Sequence, residues 1–242
     1  MLMAYIQTGM DNGNQGRTFG LVAGLGVGAG IFYYRALVAA HLSRGLVPRL
    51  LMVHADVRRV MSHAAAGEAL QLAGYLAELL RQLACGGAQL AAIPAFTPQI
   101  CAAELAAITP LPLVGLLDVI AEAVMGKRFR RVAILGARVA IETQLFGKLE
   151  GVEVVMPTPD EVDTIAGVHG RVVEESCPAN EAYDLLRRLA HTLIEREKLD
   201  GIVLAGTDLA FVFNPTNTDF PHVDGARVHV DAIMREIARE PL

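Results

Sequence analysis

The 242-residue chain is 53% hydrophobic and 19% charged, with 21 Lys and Arg against 26 Asp and Glu and a formal net charge of −5. Disorder, which needs low hydrophobicity and high net charge, is excluded. Nucleic-acid binding is disfavoured, because no Lys/Arg cluster breaks the acidic balance and 5% aromatic residues leave few stacking platforms. At about 100–200 residues per domain, the length fits one large domain or two small ones.

Residues 1–17 form a polar leader containing Gly and Asn, without the apolar stretch of a secretory signal, and are expected to be loose. An apolar, glycine-rich run at 21–31 is too short to span a bilayer, so no membrane partner is expected. Strand patterns occur at 21–23, 49–54, 88–93, 131–135, 152–156 and 201–204. Helical patterns occur at 31–44, 64–84, 98–108, 118–125, 141–149, 160–167, 180–197 and 230–239, with a short apolar run at 113–116. Alternating strands and helices predict β-α-β units, and strands that are apolar throughout predict parallel sheets covered on both faces. Cys85, Cys101 and Cys177 are widely spaced and odd in number, which points to a reducing cytoplasm and to no metal site. The histidines do not cluster at ligand spacings either.

The halves echo each other. Gly26 and Gly136 each follow a strand and open a helix, and Thr97 and Thr207 each follow a strand, both pairs 110 positions apart. A duplicated α/β unit is implied, with ligands expected beyond the carboxyl ends of its strands. The first such loop, 24–30, is glycine-rich. It fails the G-x-G-x-x-G spacing, and Asp56 lies 32 positions after Gly24 rather than the roughly 20 that a ribose partner needs, so no dinucleotide cofactor is expected. A tight turn and an anion-binding turn both remain open there. The second and third loops, 94–99 and 205–208, carry Thr97 and Thr207, each read either as a helix cap or as a grip on a substrate carboxylate.

Five segments in order resemble the aspartate/glutamate racemase superfamily, which includes hydantoin racemases, maleate isomerases and arylmalonate decarboxylases. Gly24-Leu25-Gly26 with Tyr33-Tyr34-Arg35 is similar to its G-G-M-G turn and F-Y-R helix. Residues 93–99 sit at its I-P-C-N-T-A-H, and 135–146 at its L-G-T-R-x-T-M-E. Residues 203–209 sit at its L-G-C-T-E-L, and 224–229 at its D-T-A-R-I-H. The resemblance implies two pseudo-symmetric Rossmann-like lobes with parallel sheets. Lobe 1 spans 18–112 and is completed by 215–242, lobe 2 spans 113–214, and the active cleft lies between them. It also implies a cofactor-independent isomerase or lyase for a small carboxylate or amino acid, and a homodimer.

The same resemblance locates a departure. The family's chemistry uses two facing cysteines, and their positions here are Ala95 and Gly206, neither of which transfers a proton. Two-base racemisation by thiols is therefore not expected. What remains is non-thiol chemistry, or a catalytically inactive carboxylate-binding relative. Glu175, Asp208 and His54 are the candidate acids and bases. Glu175 lies with His169 in a segment similar to one lining the family's cleft and is preferred; Asp208 is read as base or helix cap; His54 is read with Asp56 as a His–Asp pair, and Asp56 is read equally as a helix-start or turn residue. Gly26, Phe96, Thr97, Gln99, Arg138 and Thr207 are the candidate substrate contacts. Phe96 also reads as a core residue, and Arg138, which stands near Glu142, as a surface one. Cys101 reads as a small buried residue, Cys177 as one that approaches the cleft only secondarily, and His229 as structural.

Overall fold

The computed structural model describes residues 16–175 and 180–239. Two parallel sheets form its centre. In the first, β1 (Phe19–Ala23) lies between β2 (Leu50–His54) and β3 (Leu90–Ala92), with Phe19 opposite Leu50 and Leu90. In the second, β4 (Arg131–Gly136) lies between β5 (Glu153–Val154) and β6 (Gly201–Ala205), and β7 (His222–Asp224) flanks β6. The order β2-β1-β3 is repeated as β5-β4-β6, which is the pseudo-symmetry that the 110-residue offset implied.

The central strands β1 and β6 are buried at every residue because helices cover both faces. On one face of the first sheet, α2 (Val57–Ala65), α3 (Ala69–Cys85) and α4 (Ala102–Ile108) close a core around Leu72, Leu76 and Leu80. On the other, α1 (Val27–Ser43) and α9 (Gly225–Ala238) bury Tyr33, Leu37, Ile233 and Ile237 against Phe19 and Leu21. The second sheet is packed by α5 (Leu116–Gly126), α6 (Arg138–Glu142), α7 (Pro159–Glu175) and α8 (Asn180–Glu197).

Several boundaries differ from the sequence reading. The expected helix at 64–84 is two helices, broken where Gly67 takes φ +68°. The expected helix at 141–149 stops at Glu142, because Gln144, Leu145 and Phe146 all adopt positive φ. The short helix at 160–167 runs on through Gly167 and Gly170 to Glu175, since Val162, Ile165, Val168 and Val172 make one buried stripe that outweighs glycine's poor propensity. Helix α1 begins at Val27, before the expected residue 31. The segment 215–242 does not belong wholly to the first lobe: β7 extends the second sheet, and only α9 crosses to cover the first. Of the leader, residues 1–15 lie outside the described residues. Arg17 is held, its amide N–H donating to the Ile237 carbonyl at 3.0 Å.

Candidate active site

The carboxyl ends of the strands in both sheets converge where the lobes meet. After β6 the chain enters a 3-10 turn, Thr207–Phe211, and after β3 a matching turn, Thr97–Cys101. Neither threonine caps its own turn. The Thr207 hydroxyl instead donates to the Pro94 carbonyl at 3.1 Å, tying the loop of one lobe to the loop of the other. Thr97 is half-buried at the opening of its turn. Gln99 turns back on its own loop, its Nε2 donating to the Ala95 carbonyl at 2.9 Å, and it borders a cavity of about 300 Å³ that reaches the Asp118–Lys148 ion pair.

Asp208 is the buried acid of this seam. It does not cap the turn it belongs to. Its Oδ1 accepts the Ala29 N–H at 2.9 Å, so it closes the N-terminus of α1 in the opposite lobe. The fit depends on small residues: a Cβ on Gly26 would stand 2.7 Å from Asp208 Oδ2, and one on Gly28 2.8 Å from Oδ1. The glycine loop at 24–30 thus already receives a carboxylate, and that carboxylate is the chain's own. Burial pushes the Asp208 carboxyl up to about 6, against the opposing pull of the Ala29 N–H.

Gly206 meets a different group. A Cβ there would lie 2.5 Å from Cδ2 and Nε2 of His169, on α7, so the imidazole edge fills the space in which a side chain at 206 would begin. His169 Nε2 is buried and has no hydrogen-bond partner among the described residues, and burial lowers the imidazole to about 4, leaving it neutral at physiological pH. Gly136, at the end of β4, is held at φ +148° with the Ala205 carbonyl oxygen 2.2 Å from where its Cβ would be, a position only glycine tolerates.

The remaining candidates fall elsewhere. Glu175 is the exposed last residue of α7, about 9 Å further along the helix axis than His169. His54 is exposed at the edge strand β2 and lies over Gly24. Of the two readings of Asp56 the helix start holds and the pairing with His54 does not, because the Asp56 carboxylate caps α2 by accepting from Arg58 and Arg59 N–H groups at 2.9 and 3.4 Å. Phe96 is 4% exposed and packs in the core of the second lobe rather than lining a cleft. Arg138 is exposed and already bonded to Glu142 and Asp163, so it is not a free carboxylate clamp. Cys101 is fully buried, its Sγ donating to the Pro98 carbonyl, and burial with Glu104 nearby pushes the thiol up to about 11. Cys177 lies outside the described residues. His229 is structural: Tyr33 O–H donates to its Nδ1 and its Nε2 donates to the Val114 carbonyl, both at 2.9 Å.

The residues brought together are therefore Gly26, Ala95, Gly206, Thr207 and Asp208. His169 joins them, a residue that the sequence reading mentions but ranks behind Glu175. The signal that could have raised it is the glycine at 206, since a missing side chain at a strand end leaves room for a bulky neighbour. Among the described residues there is no group of three or more His, Cys, Asp and Glu that could hold a metal ion. Among them, too, no helix is long and apolar enough to cross a membrane.

The family described as Asp/Glu/hydantoin racemase matches residues 22–233. A solved aspartate racemase homologue from Pyrococcus horikoshii superposes with a TM-score of 0.78 at 20% identity, covering 92% of this chain and all of that one. A putative Asp/Glu racemase from Yersinia pestis gives 0.74 at 21% identity, covering 90% and 98%. An unliganded arylmalonate decarboxylase gives 0.51 at 14% identity, covering 92% and 93%. At these identities the likeness is one of fold. No curated protein matches the chain.

Proposed function

We propose that this chain, which belongs to the Asp/Glu/hydantoin racemase family, is a cofactor-independent enzyme acting on a small carboxylate or amino acid by non-thiol isomerase or lyase chemistry. The observation that carries the reading is Asp208, a buried carboxyl at the seam between the lobes, pushed up to about 6. A general acid or base works best when its pKa lies near the working pH, and burial has moved this carboxyl there. Ala95 and Gly206 offer no transferable proton, and the Cys101 thiol, at about 11, is too weak an acid to stand in.

The neighbours in fold named above are described as racemases and as a decarboxylase. Both reaction types deliver a proton to a carbon beside a carboxylate, a step that one acid can perform. Substrate entry requires the seam to part, because Ala95, Phe96, Thr207 and Asp208 are each no more than 7% exposed. Parting it breaks the Thr207–Pro94 hydrogen bond and frees the Thr207 hydroxyl, which with Thr97 then faces the incoming carboxylate.

A second reading, that of a catalytically inactive binding or regulatory relative, is favoured by the same closure: the Asp208 carboxylate is engaged at the N-terminus of α1 as a cap. A homodimer goes with either reading. Val27, Ile31 and Tyr34 recur at helical spacing on α1, each 46–56% exposed, and Met52 on β2 is 46% exposed beside them. A patch of this kind suits a self-complementary interface.

The test is proton NMR in D₂O with amino acids and substituted malonates. The enzyme reading expects exchange or turnover that falls about 100-fold or more in Asp208→Asn. Silence across the panel, with a ligand still raising the melting temperature, would establish the binding protein instead.

A further inference from the structure

Polar atoms buried without a partner are rare and cost about 1–3 kcal/mol each, so each one asks for an explanation. Among the described residues, His169 Nε2 is such an atom. It does not lie deep in a lobe. The ring packs on Gly206, the residue that leaves the carboxyl end of β6 and precedes the Thr207 latch. Helix α7, which carries it, packs against both the 207–211 turn and α1, the two elements that the seam separates. A ligand beyond the end of β6 therefore meets this imidazole edge where it would otherwise meet a side chain at 206.

We propose that His169 Nε2 is a ligand-binding group of the second lobe, donating a hydrogen bond to a carboxylate of the small molecule that enters when the seam opens. The inference rests on the reading of the seam as a carboxylate site and adds the residue that recognises the carboxylate. Three observations converge on it: the unpartnered nitrogen, the glycine that makes room for the ring, and the strand-end position. A neutral imidazole suits the role. It offers one N–H without adding a buried charge to the lobe, and Nε2–H is the tautomer that donates. No proton leaves the ring in this role, so His169 binds and orients while Asp208 remains the acid or base.

The experiment follows histidine ring nitrogens by NMR in full-length protein labelled with ¹⁵N-histidine, titrated with malonate as the carboxylate probe. His169→Phe keeps a ring in the space and removes the donor. His169→Gln keeps an N–H near the Nε2 position. Melting curves report whether each variant is folded. Malonate is expected to shift the His169 resonance, to bind about tenfold more weakly to His169→Phe, and to bind His169→Gln within about threefold of the wild type.

No shift of the His169 signal up to the solubility limit of malonate overturns the proposal, and so does equal affinity in folded His169→Phe. The enzyme reading is judged separately, by exchange at carbon. A protein that binds malonate through His169 yet exchanges no proton keeps this inference and loses the catalytic one. A protein that turns over with unchanged malonate affinity in His169→Phe does the reverse.

Discussion

Asp208 and Ala29 stand 179 positions apart in sequence, and the carboxylate of the first accepts the amide N–H of the second at 2.9 Å. A helix N-terminus in one lobe is thereby capped by an acid from the other. Gly26 and Gly28 are the residues that let the carboxylate come so close.

This contact gives a pH signature to stability. The folded-state carboxyl titrates at about 6, above its ordinary value of 3.8, so the folded protein holds that proton to higher pH than the unfolded chain does. The contribution is then least favourable when the group is charged, and stability falls as pH rises from about 4 through about 6. Asp208→Asn keeps the acceptor oxygen and removes the charge. Denaturant melts at pH 4 and pH 8 should show the variant about 1–3 kcal/mol more stable than wild type at the higher pH and much nearer to it at the lower. The variant and the wild type share the buried His169 and His229, whose lowered pKa values act in the opposite sense, so the difference between the proteins isolates Asp208.

Gly206 and His169 are expected to be coupled. A methyl group at 206 meets the imidazole at 2.5 Å, so Gly206→Ala alone should cost about 1–3 kcal/mol through overpacking. In the His169→Ala background the ring is gone and the same methyl group meets the flexible Leu209 side chain, its Cγ at 3.2 Å, in place of the imidazole. A double-mutant cycle should give a coupling of about 1 kcal/mol or more. Additive single effects would mean that the two residues do not share this space in solution.

The Thr207–Pro94 hydrogen bond is the direct tie between the two strand-end loops. Thr207→Val keeps the shape and leaves the buried Pro94 carbonyl without that donor. Loss of about 1 kcal/mol is expected, together with faster hydrogen exchange in the 207–211 turn. If neither midpoint nor exchange changes, the tie does not hold the seam.

The apolar stripe on α1 yields a prediction about assembly. Ile31 is 46% exposed at its centre, so Ile31→Lys leaves the core untouched while placing a charge in each half of a two-fold interface. Light scattering should show a dimer for the wild type and a monomer, or a dimer of much lower affinity, for the variant. A monomeric wild type at micromolar concentration ends the assembly proposal.

Local pattern along the chain is enough to specify the class of fold and the repeat. Apolar strands without alternation can only be buried on both faces, and β-α-β order makes the sheets parallel, so the architecture is local pattern written twice. The glycines and threonines 110 positions apart marked the strand ends.

Tertiary structure decided which groups meet. Asp208 reads locally as a cap for its own turn, and only packing of the lobes brings it to α1. Asp56 reads equally as a partner for His54 and as a helix start, and the N–H groups opening α2 claim its carboxylate. His169 and Glu175 share one helix and one stretch of sequence. Side chains six positions apart point away in different directions, so burial selected the imidazole and left the carboxylate in water. A strand such as β7 and a break such as the one at 144–146 carry too few residues for periodicity to register. Contacts between distant segments depend on how two lobes settle against each other, and no local pattern encodes that distance.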